Sequence, residues 1–147
     1  MKGKNIIRTL SALLAVFLLA SAYSFTSAAP PKKQQYFEIK IYRINSAEQA
    51  SVTDNFLKNA FIPAMHKAGI SKIGVFKPVE ADTAFGKLIY VFIPYKSPTQ
   101  YFDITASLEN DKSYQAAGKD FLDAPYNNPP YVRYESVFLK AFKFMPE

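Results

Sequence analysis

The chain has 147 residues, with 18 Lys and Arg against 12 Asp and Glu, no cysteine, no tryptophan and a single histidine, His66. Without cysteine there is no disulfide framework, lipoprotein anchor, thiolate nucleophile or Cys metal site, and with one histidine a single copy cannot build the His pairs or triads of zinc and non-haem iron centres. Thirteen Phe and ten Tyr suggest a well-filled core plus apolar surface for a partner subunit to cover.

The chain opens with Lys2, Lys4 and Arg8, followed by an apolar run from Leu10 to Ala20 and two small-residue sites, Ala20-Ser21-Ala22 and Thr26-Ser27-Ala28. This is the layout of a secretory signal peptide. A membrane anchor is the alternative, but a spanning helix needs about 20 apolar residues and this core is shorter. Cleavage after Ala28 starts the mature chain at Ala29, and Tyr23 is the other candidate start. Residues 1–28 are therefore read as a signal peptide, 29–35 as a short tether and 36–147 as one domain. The expected location is periplasmic or secreted, with no membrane span after cleavage. The exported part keeps all acidic residues and loses three basic ones, so the isoelectric point near 9.4 overstates its basicity. Beyond Lys32-Lys33 no Lys/Arg cluster with interleaved aromatics occurs, which argues against a nucleic-acid partner.

Tyr36 to Ile44 alternates with period two, predicting a half-buried strand with Phe37, Ile39 and Ile41 on one face and Glu38, Lys40 and Tyr42 on the other. Ser46-Ala-Glu-Gln49 is a capping box opening a helix to Ala68, with Val52, Phe56, Ala60, Ala64 and Ala68 at i, i+4 spacing on its apolar side, joined by Phe61 and Met65. Gly69 supplies a left-handed stop, and Pro63 is expected to kink the last turns. A second strand is expected over Ile70 to Val79 and a third over Lys87 to Ile93, ended by Pro94. Ser97-Pro98-Thr99-Gln100 is another capping box, with proline at the first helical position. It leads into a helix through Leu108 and a further one from Asp111 to Leu122. Pro125, Asn127-Asn128 and Pro129-Pro130 make a rigid lid-like loop, and Tyr131 to Phe144 is the final strand.

The order β-α-β-β-α-β is the ferredoxin-like arrangement, an α+β fold with a four-stranded antiparallel sheet and helices on one face. Tyr36, Tyr42, Tyr90, Phe92 and Tyr134 are placed on the other face, mixed with charged residues. Such a face suits a second sheet, so that two copies close a dimeric α/β barrel.

The segments Tyr36-Phe-Glu-Ile-Lys-Ile-Tyr42, Ala60-Phe-Ile-Pro-Ala-Met-His-Lys-Ala-Gly-Ile70, Ile73-Gly74-Val75-Phe76, Pro94-Tyr-Lys-Ser-Pro98 and Pro130-Tyr-Val-Arg-Tyr134 together resemble NIPSNAP domains over nearly all of the exported part. The resemblance implies a dimeric α/β-barrel fold related to stress-responsive barrel proteins and cofactor-free monooxygenases. It assigns no catalytic residues. It also implies a partner, either a second copy or a second NIPSNAP-like domain, so the chain reads as a single-domain form or as half of a tandem.

Two sites compete. His66 is either an exposed histidine near a helix C-terminus, where positive charge is mildly favourable, or a general base beside the proline kink. Glu38, Lys40, Tyr42 and Arg133 are expected on the sheet face away from the helices, where tyrosines, a carboxylate and a guanidinium either hold a polar-tipped apolar ligand or form ion pairs. Since a one-residue slip exchanges faces, the register of Arg133 and Glu135 stays open. The ligand-binding candidates are Glu38, Tyr42, His66, Tyr90 and Arg133, with no metal and no cofactor expected. The leading function is a non-catalytic module binding a small apolar ligand or another protein. The alternative is a cofactor-independent monooxygenase or isomerase acting on a small apolar substrate. A haem-binding barrel is the third reading, set back by the position of the one imidazole on a helix flank.

Overall fold

The structure, a computed structural model, describes residues 34–142. The signal-peptide reading and most of the tether lie outside the described residues, as do Lys143 and Phe144 at the end of the expected last strand.

Four strands form one sheet: β1 (Tyr36–Arg43), β2 (Gly74–Phe76), β3 (Leu88–Tyr95) and β4 (Arg133–Lys140). Their spatial order is β2-β3-β1-β4, and every pairing is antiparallel. With helical segments between β1 and β2 and between β3 and β4, this is the ferredoxin-like arrangement expected.

Helix α1 (Ala47–Phe56) starts where the capping box predicts. The Ser46 hydroxyl accepts the Gln49 N–H at 3.1 Å, and the Gln49 side chain reaches back to accept the Asn45 N–H at 3.0 Å. Ser97 and Gln100 repeat the device at α3 (Pro98–Asn110), with Gln100 accepting from the Lys96 N–H at 2.7 Å. Between α1 and α2 (Ile62–Lys67) the chain opens into a π-helical turn over Leu57–Phe61, in which the Ile62 N–H bonds to the Leu57 carbonyl. The irregularity expected at Pro63 therefore falls on its N-terminal side. Pro63 has no N–H for the Asn59 carbonyl and its ring crowds that carbonyl, and a wider turn relieves both.

Gly69, at φ +90°, closes α2. The Gly69 N–H bonds to the His66 carbonyl and the Ile70 N–H to the Met65 carbonyl, both at 3.0 Å, completing a Schellman motif with Ile70 and Met65 together in the core. The last helical stretch breaks at Gly118 into α4 (Lys112–Ala117) and α5 (Lys119–Leu122). The segment from Ala124 to Pro130 is latched onto α1: the Thr53 hydroxyl donates to the Pro130 carbonyl at 3.0 Å and the Gln49 amide to the Pro129 carbonyl at 2.9 Å.

The last strand is shorter than expected, Arg133–Lys140 within the described part of Tyr131 to Phe144, and three further expectations about the strands change. β2 covers only three of the ten residues foreseen, since Pro78 follows it and a proline cannot donate to a ladder. β3 runs on through Pro94, which carries Tyr95 onto the sheet. The third change concerns the faces. Cross-strand register places Tyr36, Glu38, Lys40 and Tyr42 beside Tyr95, Ile93, Val91 and Ile89 of β3 and Ser136 and Tyr134 of β4. Ile89, Val91 and Ile93 are fully buried in the core with Phe56, Leu57, Phe61 and Met65 of the helices. Glu38, Lys40 and Tyr42 thus lie under the helices, and Phe37, Ile39 and Ile41 form the opposite, open face with Tyr90 and Phe92. Alternation separates the two sets correctly, but it cannot say which set meets the helices when both are apolar enough to be covered.

Candidate functional site

Glu38 is only 1% exposed and sits mid-sheet on β1. A carboxylate in that position requires donors on both oxygens, and three side chains from three strands supply them. Lys40 Nζ and Ser136 Oγ each donate to Oε1 at 2.6 Å, and the Tyr95 hydroxyl donates to Oε2 at 3.0 Å. Lys40 Nζ also donates to the Tyr134 hydroxyl at 2.8 Å and lies 5.5 Å from the Tyr134 ring centroid and 5.7 Å from that of Phe61.

Burial disfavours the Lys40 ammonium, yet the adjoining Glu38 carboxylate, helped by Tyr134, outweighs it, and the Lys40 pKa is raised above 10.5. Tyr95 is held in its neutral form first by burial and then by the Glu38 charge. Burial is also the leading cause at Tyr42 and Tyr114, both of which are pushed upward. The cluster is therefore a Lys40–Glu38 ion pair with the Tyr95 phenol held neutral beside it.

Glu38, Lys40 and Tyr95 of this cluster form the floor of a cavity of about 590 Å³ between the sheet and the helices. Phe61, Met65, Ile104, Leu108 and Tyr114 wall it, and Glu109, Gln115 and Asp123 stand at its mouth. A smaller cavity of about 150 Å³ adjoins it, sharing Lys40, Phe61, Tyr114 and Leu122 and ringed by Tyr42, Phe56, Phe121, Tyr131 and Tyr134. The Phe56 and Phe121 rings stack there with centroids 4.0 Å apart.

Of the sequence candidates, Glu38 reaches the larger cavity and Tyr42 the smaller one. Tyr90 and Arg133 do not join them, because register puts both on the open face. Arg133 lies 3.4 Å from Glu135, which also pairs with Arg43 at 3.0 Å, in an exposed cross-strand ion cluster. The expectation that Glu38, Lys40, Tyr42 and Arg133 share the face away from the helices is corrected accordingly: the cation beside Glu38 is the Lys40 ammonium, not the Arg133 guanidinium. His66 is exposed on α2 and lines neither cavity. Tyr95, Ser136 and Tyr134 are the site residues that sequence reasoning missed. Two opposite charges two apart in the middle of an apolar strand were the available signal, and their partners lie 57 to 98 positions away from Glu38 or Lys40.

Fold and site together define a ferredoxin-like α+β domain with an apolar cleft ending on a buried charge pair. No protein-family model matches the sequence, and no curated protein matches it. Solved structures do share its fold. A NIPSNAP family protein of unknown function from Agrobacterium tumefaciens superposes with a TM-score of 0.59 at 15% identity, covering 78% of this chain and 95% of that one. An uncharacterized NIPSNAP-like domain protein from Burkholderia xenovorans gives 0.58 at 17% identity, with 77% and 90% covered. A dimeric ferredoxin-like protein from an uncultured marine organism gives 0.54 at 7% identity, with 80% and 96% covered. The resemblance to NIPSNAP domains is thus matched at the level of the fold.

Proposed function

We propose that this is a NIPSNAP-like binding module whose cleft takes a small, mainly apolar molecule above the Lys40–Glu38 pair. The observation that carries this reading is the cavity of about 590 Å³, within the size range of small-molecule sites and lined as they are, by apolar walls with a few convergent polar groups. The protonation states favour binding over catalysis. A base or nucleophile needs an available lone pair near neutrality. Lys40 is held as an ammonium, Tyr42, Tyr95 and Tyr114 are held as phenols, and the Glu38 oxygens already accept three hydrogen bonds.

The test uses the uncharged dye N-phenylnaphthylamine. Its fluorescence is expected to rise with the wild-type protein and to stay near the free-dye level with Leu108→Trp, which fills the cleft from a half-buried helix position. Equal enhancement by both proteins would move binding elsewhere and overturn the proposal.

We also propose that the open face is covered by a second copy of the chain. Phe37, Ile39, Ile41, Tyr90 and Phe92 share that face with Val137 and Leu139, and the Phe37 and Phe92 rings stack at 5.0 Å. Val137 and Leu139 are 42% and 38% exposed. A contiguous apolar face of this kind is unusual on a monomer, and one fold neighbour is described as dimeric.

Export rests on residues 1–28 alone. A mature chain beginning at or near Ala29 is the expected N-terminal sequencing result, and an intact Met1 chain in the cytoplasm would overturn it.

A further inference from the structure

We infer that the ligand of this cleft is an uncharged, flat aromatic compound presenting a carbonyl-type hydrogen-bond acceptor to Lys40, an inference that rests on the binding reading above. An ammonium has three donors, and two of those on Lys40 are engaged, by Glu38 and Tyr134. The third is free for a ligand, on a side chain that is 15% exposed and lines both cavities. Glu38 offers a ligand nothing comparable, because it is only 1% exposed and Lys40, Ser136 and Tyr95 already crowd its oxygens. The floor therefore selects an acceptor over a donor.

Charge selects against an anion. Lys40 is the one basic residue lining the larger cavity, and it faces Glu38 beneath it and Glu109 and Asp123 at the mouth. A free carboxylate entering the cleft meets an ammonium already neutralised by its partner, past two like charges. A neutral carbonyl meets the same donor without that repulsion. Shape points to an aromatic body, since beyond Lys40 lies the smaller cavity ringed by Tyr and Phe side chains, against which a planar ring can stack edge-to-face or offset.

Three probes of one skeleton separate these claims by calorimetric titration: naphthalene, 2-acetylnaphthalene and 2-naphthoate. The ketone is expected to bind about tenfold more tightly than naphthalene, the factor of one charge-assisted hydrogen bond, and more tightly than the carboxylate. The double variant Glu38→Gln/Lys40→Met removes donor and counter-charge together and is expected to bring the ketone down to the affinity of naphthalene. Glu109→Gln/Asp123→Asn, confined to the exposed mouth, is expected to raise the affinity for 2-naphthoate relative to the ketone. Equal affinity of the ketone and naphthalene for the wild-type protein, or tightest binding by 2-naphthoate, would overturn this inference while leaving the binding reading in place. Binding by none of the three would overturn both.

Discussion

Lys40→Met is expected to lower the free energy of unfolding by about 3–5 kcal/mol, the usual result of removing one partner from a buried ion pair. Met matches the length of the Lys stem, so packing changes little and the loss isolates the charge. Glu38 would remain 1% exposed with Tyr95 and Ser136 as donors and no cation. The double variant Glu38→Gln/Lys40→Met leaves no unpaired charge and is expected to be more stable than Lys40→Met alone. Urea unfolding at one fixed protein concentration checks both, since any assembly makes apparent stability concentration-dependent. The pH dependence supplies a second readout. The Lys40 pKa is raised in the folded protein, so its contribution is fully present below about pH 10.5 and is lost as pH rises through the higher folded value. That alkaline loss should be smaller in the Lys40→Met protein. A single variant as stable as the wild type, or a double variant less stable than the single, would remove the pair from the account of this fold.

Ile39→Glu is expected to convert a dimer into a monomer. Ile39 lies on a central strand, paired with Phe92 on one side and Val137 on the other, so the substitution sets a carboxylate in the middle of the open face. A stable interface there would bury at least about 1,200 Å² in total, and an unpaired charge at its centre leaves a desolvated group without a partner. Light scattering at micromolar concentration should show the wild-type protein at twice the monomer mass and the variant at the monomer mass. Helical and strand content should be the same in both, since Ile39 faces away from the helices. A monomeric wild-type protein would overturn the proposed self-association, and the open face would then fit a second NIPSNAP-like domain.

The elements were legible because their signals are local. Ser46 with Gln49 and Ser97 with Gln100 cap helices wherever they occur, Gly69 adopts the left-handed conformation that closes α2, and period-two alternation marks β1 and β4. The consequence of Pro63 was legible in kind but misplaced, because a missing N–H can be accommodated by widening the turn before the proline as well as by bending after it. The lengths of β2 and β3 were not legible, since pairing depends on a neighbouring strand that the local sequence does not reveal.

The sequence by itself determined the order β-α-β-β-α-β, the two capped helix starts, the stop at Gly69 and the separation of β1 into two faces. Tertiary structure decided which face met the helices. Both faces of β1 are apolar enough to be buried, one under helices and one available to a second sheet, so hydrophobic patterning leaves two solutions of opposite parity. The choice between them follows from where Glu38 and Lys40 find partners. Tyr95, Ser136 and Tyr134 come from other strands, and only their antiparallel register brings those hydroxyls within 3.0 Å of the carboxylate and the ammonium. A buried charge pair is stable only when such partners arrive together, and that is a property of the assembled sheet.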